Sequence, residues 1–80
     1  MKYYCDNKRH LVCEPFSIEN LHKMAEDLKI GNHFFEYSNN GRLPHYDIPA
    51  HRIDEITAKC ELVSRFEIVK IIRRGLAHDK

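Results

Sequence analysis

Two short β-rich segments separated by four polar residues, followed by a capped amphipathic helix, constrain this chain more than any other feature. Lys2-Tyr3-Tyr4-Cys5 has the aromatic content of a strand, and Asp6-Asn7-Lys8-Arg9 is a polar turn. His10-Leu11-Val12-Cys13-Glu14 then reads as a second strand, so a hairpin is the simplest connection. Ser17 follows as an N-cap, with Phe16 placed to pack on Leu21 as a hydrophobic staple. Leu21, Met24, Ala25 and Leu28 recur at helical spacing, and Gly31 stands where a C-terminal cap belongs.

The rest of the chain continues the alternation. His33-Phe34-Phe35-Glu36-Tyr37 is a short aromatic strand candidate, and Ser38-Asn39-Asn40-Gly41-Arg42 is a turn-rich loop. Ile53 and Ile56, with Cys60 one turn on, predict a helix over about 49–59, with Pro49 in its first turn. Glu61-Leu62-Val63 is a further strand candidate. Ser64-Arg65-Phe66-Glu67 has the S-x-x-E form of a capping box, opening a helix carried by Phe66, Val69 and Ile72 and ended by Gly75. The expected fold is α/β or α+β: a compact single layer of three or four short strands packed with about three helices. Residues 1–80 form a single domain in this reading, with 75–80 as a flexible tail.

Eighty residues support one hydrophobic core. An apolar fraction of 42% and a charged fraction of 31% mark a folded domain rather than a disordered one. The formal net charge of +1 gives no strong nucleic-acid signal and no general attraction to an anionic membrane, so any anion site must be local. No apolar run approaches the roughly 20 residues needed to span a bilayer, and the N-terminal residues lack the apolar core of a signal peptide. A cytoplasmic protein is expected. Cys5, Cys13 and Cys60 are odd in number and contain no C-x-x-C pair, which suggests reduced, mostly buried thiols.

The segment most suggestive of chemistry is Leu43-Pro44-His45-Tyr46-Asp47-Ile48-Pro49. In an extended strand, His45 and Asp47 share one face and Tyr46 takes the other. A carboxylate beside an imidazole orients the ring and stabilises its charged form, which suits a general acid or a phosphate binder. Asp6, Arg9 and His10 lie around the first turn, and in open α/β sheets ligands collect at such carboxyl ends of strands. Arg9 can contact a phosphate with two prongs. Arg52, next to His51 at the start of the second predicted helix, adds another cation beside free backbone N–H groups. His22 borders the apolar stripe of the first helix. Asp6, His10, His45 and Asp47 could supply nitrogen and oxygen ligands to a divalent cation, but no recognised metal spacing marks them. No cofactor is therefore assigned from the sequence.

Several of these stretches together resemble a known family. Tyr3-Tyr4-Cys5-Asp6-Asn7 with Arg9, Glu19-Asn20-Leu21-His22-Lys23-Met24-Ala25, Phe34-Phe35, and Pro44-His45-Tyr46-Asp47-Ile48 with Arg52 are similar to the small phage and bacterial domain-of-unknown-function family four-zero-three-one. The likeness spans nearly the whole chain. It implies a free-standing domain in which Asp6, Arg9, His22, His45, Tyr46 and Asp47 occupy motif positions, and it implies no activity. The chain departs from the family pattern at Phe34, where a Trp is common, and at Asn7, where a second Asp is common.

The leading expectation is a small-molecule binding protein for a nucleotide or another phosphorylated metabolite, which in a phage setting would sequester a host nucleotide signal. Arg9, His45 and Arg52 would face anionic oxygens, and Tyr46 or Phe34 would stack on a base. Asp47 or Asp6 would accept hydroxyl or amino protons, and His10 and His22 complete the candidate ligand set. The alternatives are a small hydrolase of a phosphoester or glycosidic bond, with His45 and Asp47 as its acid/base pair, and a protein-binding inhibitor module. The residues leave open whether a ligand is turned over. A homodimer is expected from the small size and exposed sheet edges.

Overall fold

The computed structural model describes residues 1–38 and 41–78. Among these, five strands form one mixed sheet: β1 (Lys2–Cys5), β2 (His10–Glu14), β3 (Phe35–Ser38), β4 (Leu43–Asp47) and β5 (Glu61–Leu62). Their order across the sheet is β3-β4-β2-β1-β5. β1 and β2 are the expected antiparallel hairpin, β4 is antiparallel to both β2 and β3, and β5 is parallel to β1. It follows that β1, β4 and β5 run in the same direction and deliver their carboxyl ends to one edge. The sheet has one strand more than the upper expectation, because both short candidates, β3 and β5, find partners.

Three α-helices complete the described residues: α1 (Ile18–Leu28), α2 (Ile53–Thr57) and α3 (Arg65–His78). α1 and α3 each pack on β2 and β4, from opposite faces. Strand alternation explains how one sheet serves both. Leu11, Cys13 and Tyr46 face α1 and its buried Leu21, Met24, Ala25 and Leu28, whereas Leu43 and His45 face Ile68 and Ile72 of α3. A fully buried side chain such as Leu11, Leu21 or Ile72 contributes roughly 1.5–3 kcal/mol relative to its exposed state. No helix among the described residues is long and apolar enough to cross a membrane.

The start of α1 is as expected and its end is not. The Ser17 hydroxyl accepts the Asn20 N–H at 2.9 Å, and Phe16 and Leu21 are both buried. The helix stops at Lys29, two residues before Gly31, because Lys29 itself adopts the left-handed conformation (φ 59°, ψ 46°). The Ile30 N–H then folds back to the Ala25 carbonyl at 2.8 Å. Ile30 is buried, and that apolar anchor accompanies a left-handed residue that is not glycine.

Two further boundaries shift. Pro49 is extended (φ −55°, ψ 133°) and lies outside the helix; a single 3-10 turn, Ala50–Arg52, precedes a shorter α2. α3 runs past Gly75 to His78, so 75–78 are helical, while 79–80 lie outside the described residues. Gly75 is required for close packing rather than termination: a Cβ there would meet Phe16 Cβ and Cδ1 at 2.4 Å. Ser64 does accept the Glu67 N–H, at 3.1 Å, as the capping box predicts. Of the predicted turn after β3, Asn39 and Asn40 lie outside the described residues, and Gly41 has the positive φ of 83°.

The Phe16 contact makes Gly75→Ala a discriminating substitution. Alanine is the better helix former by about 1 kcal/mol, yet overpacking against the base of the Phe16 side chain costs about 1–3 kcal/mol. Urea denaturation should show net destabilisation, whereas a stabilised variant would mean that the Phe16 contact yields freely. The thiols supply a second prediction. Burial pushes Cys13 up to about 11 and Cys60 up to about 12, the latter assisted by the neighbouring Cys5 thiol. These groups ionise more easily when unfolded, so their contribution is complete below pH 9.0, the ordinary thiol value, and is lost as pH rises towards 11 and 12. Thermal melts should decline across that window, and iodoacetamide should label the native chain slowly at pH 8 but the denatured chain fast.

Candidate functional site

Register brings His10, His45 and Asp47 together. His10 opens β2 and pairs directly with Asp47 at the end of β4, while His45, two residues earlier on β4, shares the same face. His45 Nε2 lies 3.2 Å from Asp47 Oδ1, and the His10 and His45 rings meet edge-on with centroids 5.0 Å apart. The expected split of the triplet, two residues on one face and Tyr46 on the other, is what the structure has. Both imidazoles are held from behind. His45 Nδ1 lies 2.7 Å from the Leu43 carbonyl, which can only accept, so Nδ1 carries the proton. His10 Nδ1 lies 2.7 Å from Asp6 Oδ2. Each ring therefore directs Nε2 away from its anchor.

Asp6 also shapes the backbone. Its second oxygen accepts the Lys8 N–H at 2.8 Å and the His10 N–H at 3.0 Å, closing the β1–β2 turn around a side chain with no solvent exposure. Arg9 completes that turn in the left-handed region (φ 72°), and its carbonyl accepts the Ile48 N–H at 2.8 Å, which ties the turn to the exit of β4. His10, Leu43 and His45 line a cleft of about 20 Å³ under α3, closed by Ile68 and Ile72 and bordered by Arg65. That volume accommodates about one water.

On the other side of Asp6 a wider groove of about 550 Å³ opens along the sheet edge. It is lined by the apolar Ile48, Ile53 and Leu62 and by Asp6, Asn7, Arg9, Asp54 and Thr57. It lies at the carboxyl ends of β1, β4 and β5. Among the described residues, the Arg9 guanidinium makes no hydrogen bond or ion pair.

The remaining sequence-derived candidates lie elsewhere. Tyr46 is fully buried on the α1 face, with its hydroxyl 2.7 Å from His22 Nδ1 and 3.4 Å from Asn32 Oδ1. Burial raises the phenol, which keeps it protonated. Phe34 sits in a 3-10 turn against His33, and it is Phe35 that packs on Tyr46 and His22. Arg52 is committed to structure: its guanidinium donates to the Leu28 and Lys29 carbonyls at 2.7 and 2.8 Å and chelates Glu55. It satisfies the C-terminal carbonyls of α1. The proposed set thus divides into a cluster under α3, a groove at the sheet edge, a phenol-imidazole pair under α1, and a helix cap.

A family model described as "Protein of unknown function (DUF4031)" matches residues 5–75. The chain belongs to this family. Neither a curated protein nor a solved structure matches it. In this member of DUF4031 the matched span covers α1, α2, α3 as far as Gly75, and four of the five strands in full, with Cys5 alone from β1. Sequence reasoning did not include Asn32, Phe35 or Arg65 among the candidates. Arg65 was legible only as part of a capping box, and its position over the His10–His45 cleft depends on where α3 lands.

The role of Arg52 is open to a direct check. Arg52→Ala should lower the melting temperature, and Arg52→Lys should recover only part of the loss, because an ammonium cannot span two carbonyls and a carboxylate in one plane. Equal stability of all three proteins would show that the cap contributes nothing.

Proposed function

We propose that this protein binds a phosphorylated small molecule of the nucleotide class in the groove at the carboxyl ends of β1, β4 and β5. The observation that carries the reading is an Arg9 guanidinium, without a hydrogen bond or ion pair among the described residues, lining a groove of about 550 Å³ together with Ile48, Ile53 and Leu62. This volume falls in the range of small-molecule sites, about 300–1,000 Å³. Arg9 would take the phosphate in a forked contact, Ile48, Ile53 and Leu62 would support a ring, and Asn7, Thr57 and Asp54 would satisfy hydroxyl and amino groups. The parallel pairing of β1 and β5 supports the reading as well, because the carboxyl edge of parallel strands is where α/β sheets take their ligands.

A second reading is favoured by the His45–Asp47 pair. Nε2 of His45 is the ring's one available nitrogen, held 3.2 Å from a carboxylate, and Asp6 connects its partner His10 to the groove. Such a pair could move a proton at the bond of a phosphoester or glycoside bound alongside.

Thermal melts in the presence of nucleoside mono-, di-, tri- and cyclic phosphates test the first reading. At a hundredfold excess over Kd, a ligand should raise Tm on the order of 10 °C in a domain of this size, and Arg9→Gln should abolish the shift. Absence of a shift with every member, or a shift indifferent to Arg9→Gln, removes the groove as the site. Chromatography of the same mixtures, with His45→Ala as the control, separates binding from turnover.

A further inference from the structure

The cluster beneath α3 has a property that a proton-transfer pair does not require. Nδ1 of His45 is spent on the Leu43 carbonyl, so Nε2 is the nitrogen turned towards Asp47 Oδ1, at 3.2 Å, in a ring that is only 4% exposed. A proton or a cation can bridge two such atoms. A proton satisfies two groups; a metal ion satisfies three, and His10 brings a third. One ligand atom from each of His10, His45 and Asp47 lies within 4.8 Å of the others. Around an ion with bonds of about 2.0–2.2 Å, tetrahedral donors sit roughly 3.3 Å apart. The His45–Asp47 separation already matches, and the partly exposed His10 and Asp47 side chains have room to close the rest.

The surroundings of the two rings strengthen the case. Metal-ligating imidazoles commonly donate their other ring N–H to a carboxylate or a backbone carbonyl, which fixes the tautomer and aims the free nitrogen. His10 has the first kind of anchor, the unexposed Asp6, and His45 has the second, the Leu43 carbonyl. Two imidazoles and one carboxylate disfavour Mg²⁺ and Ca²⁺, which prefer all-oxygen shells, and suit first-row transition metals and zinc. The adjoining cleft of about 20 Å³ accommodates a water in a vacant coordination position, and Arg65 at its border favours an anionic ligand there.

We propose that His10, His45 and Asp47 form a three-ligand site for a divalent ion of the zinc class, with Asp6 and the Leu43 carbonyl orienting the two imidazoles. With the ion bound, His45 is a ligand and no longer a proton carrier, so any turnover would run through metal-activated water rather than an acid/base imidazole. The site stands apart from the groove reading, since its readout is the metal alone.

The test is titration of the full chain with Zn²⁺ by calorimetry and with Co²⁺ by visible absorption. The expected result is one ion per chain and cobalt bands of a four- or five-coordinate site without thiolate charge transfer. Asp6→Asn, which loosens the His10 ring together with the turn that Asp6 closes, should weaken binding about 10- to 100-fold in a chain that keeps its native circular dichroism. Asp47→Asn and His10→Gln, both at partly exposed groups and checked for native circular dichroism, should weaken it further, and His22→Asn on the opposite face should leave it unchanged. The proposal is overturned by a folded chain that takes up no ion, by affinity unchanged in both Asp47→Asn and His10→Gln, or by a thiolate band assigning the metal to the cysteines.

Discussion

The carboxylate of Asp6 holds the working edge of this molecule together. It ends β1, accepts two backbone N–H groups to close the first turn, and bonds the ring of His10 with its other oxygen. A buried ionised group is costly without partners, and Asp6 has three. Because it is fully committed, the turn, the start of β2 and the orientation of His10 are parts of one arrangement. That arrangement stands between the cleft under α3 and the groove at the sheet edge, so the two candidate sites share a wall.

β4 plays the complementary role. It lies between β3 and β2, with a helix on each face, and its consecutive residues serve different layers: His45 and Asp47 under α3, Tyr46 under α1. The phenol of Tyr46 is anchored by His22 and its ring is packed against the tilted ring of Phe35, which immobilises the strand from one side while the imidazole of His45 is presented on the other. A polar triplet in a central strand is expensive to bury unless each group finds a partner. Every buried side-chain nitrogen and oxygen among the described residues does have one.

The elements most legible in the sequence were those with local causes. The hairpin, the Ser17 cap, the apolar stripe of α1 and the Ser64 cap all rest on interactions within a few residues. The boundaries that moved were set by distant contacts. Lys29 ends α1 in place of Gly31 because Ile30 is drawn into the core and Arg52 covers the last carbonyls, and Gly75 remains inside α3 because Phe16 occupies the space a side chain would need. Arg52 read as an anion contact for the same reason: nothing local reveals that the end of another helix lies within reach.

Strand periodicity, by itself, determined that His45 and Asp47 would share a face and that Tyr46 would oppose them, since alternation is a property of the extended backbone. Which of the many polar residues would join them was decided only by tertiary structure. The register of β2 on β4 places His10 opposite Asp47, the packing of α1 takes His22 to the far face, and the loop after β4 sends Arg52 to a helix terminus. Register and helix placement arise from burying one apolar core between two helices, and that requirement is met by the whole chain at once rather than by any segment of it.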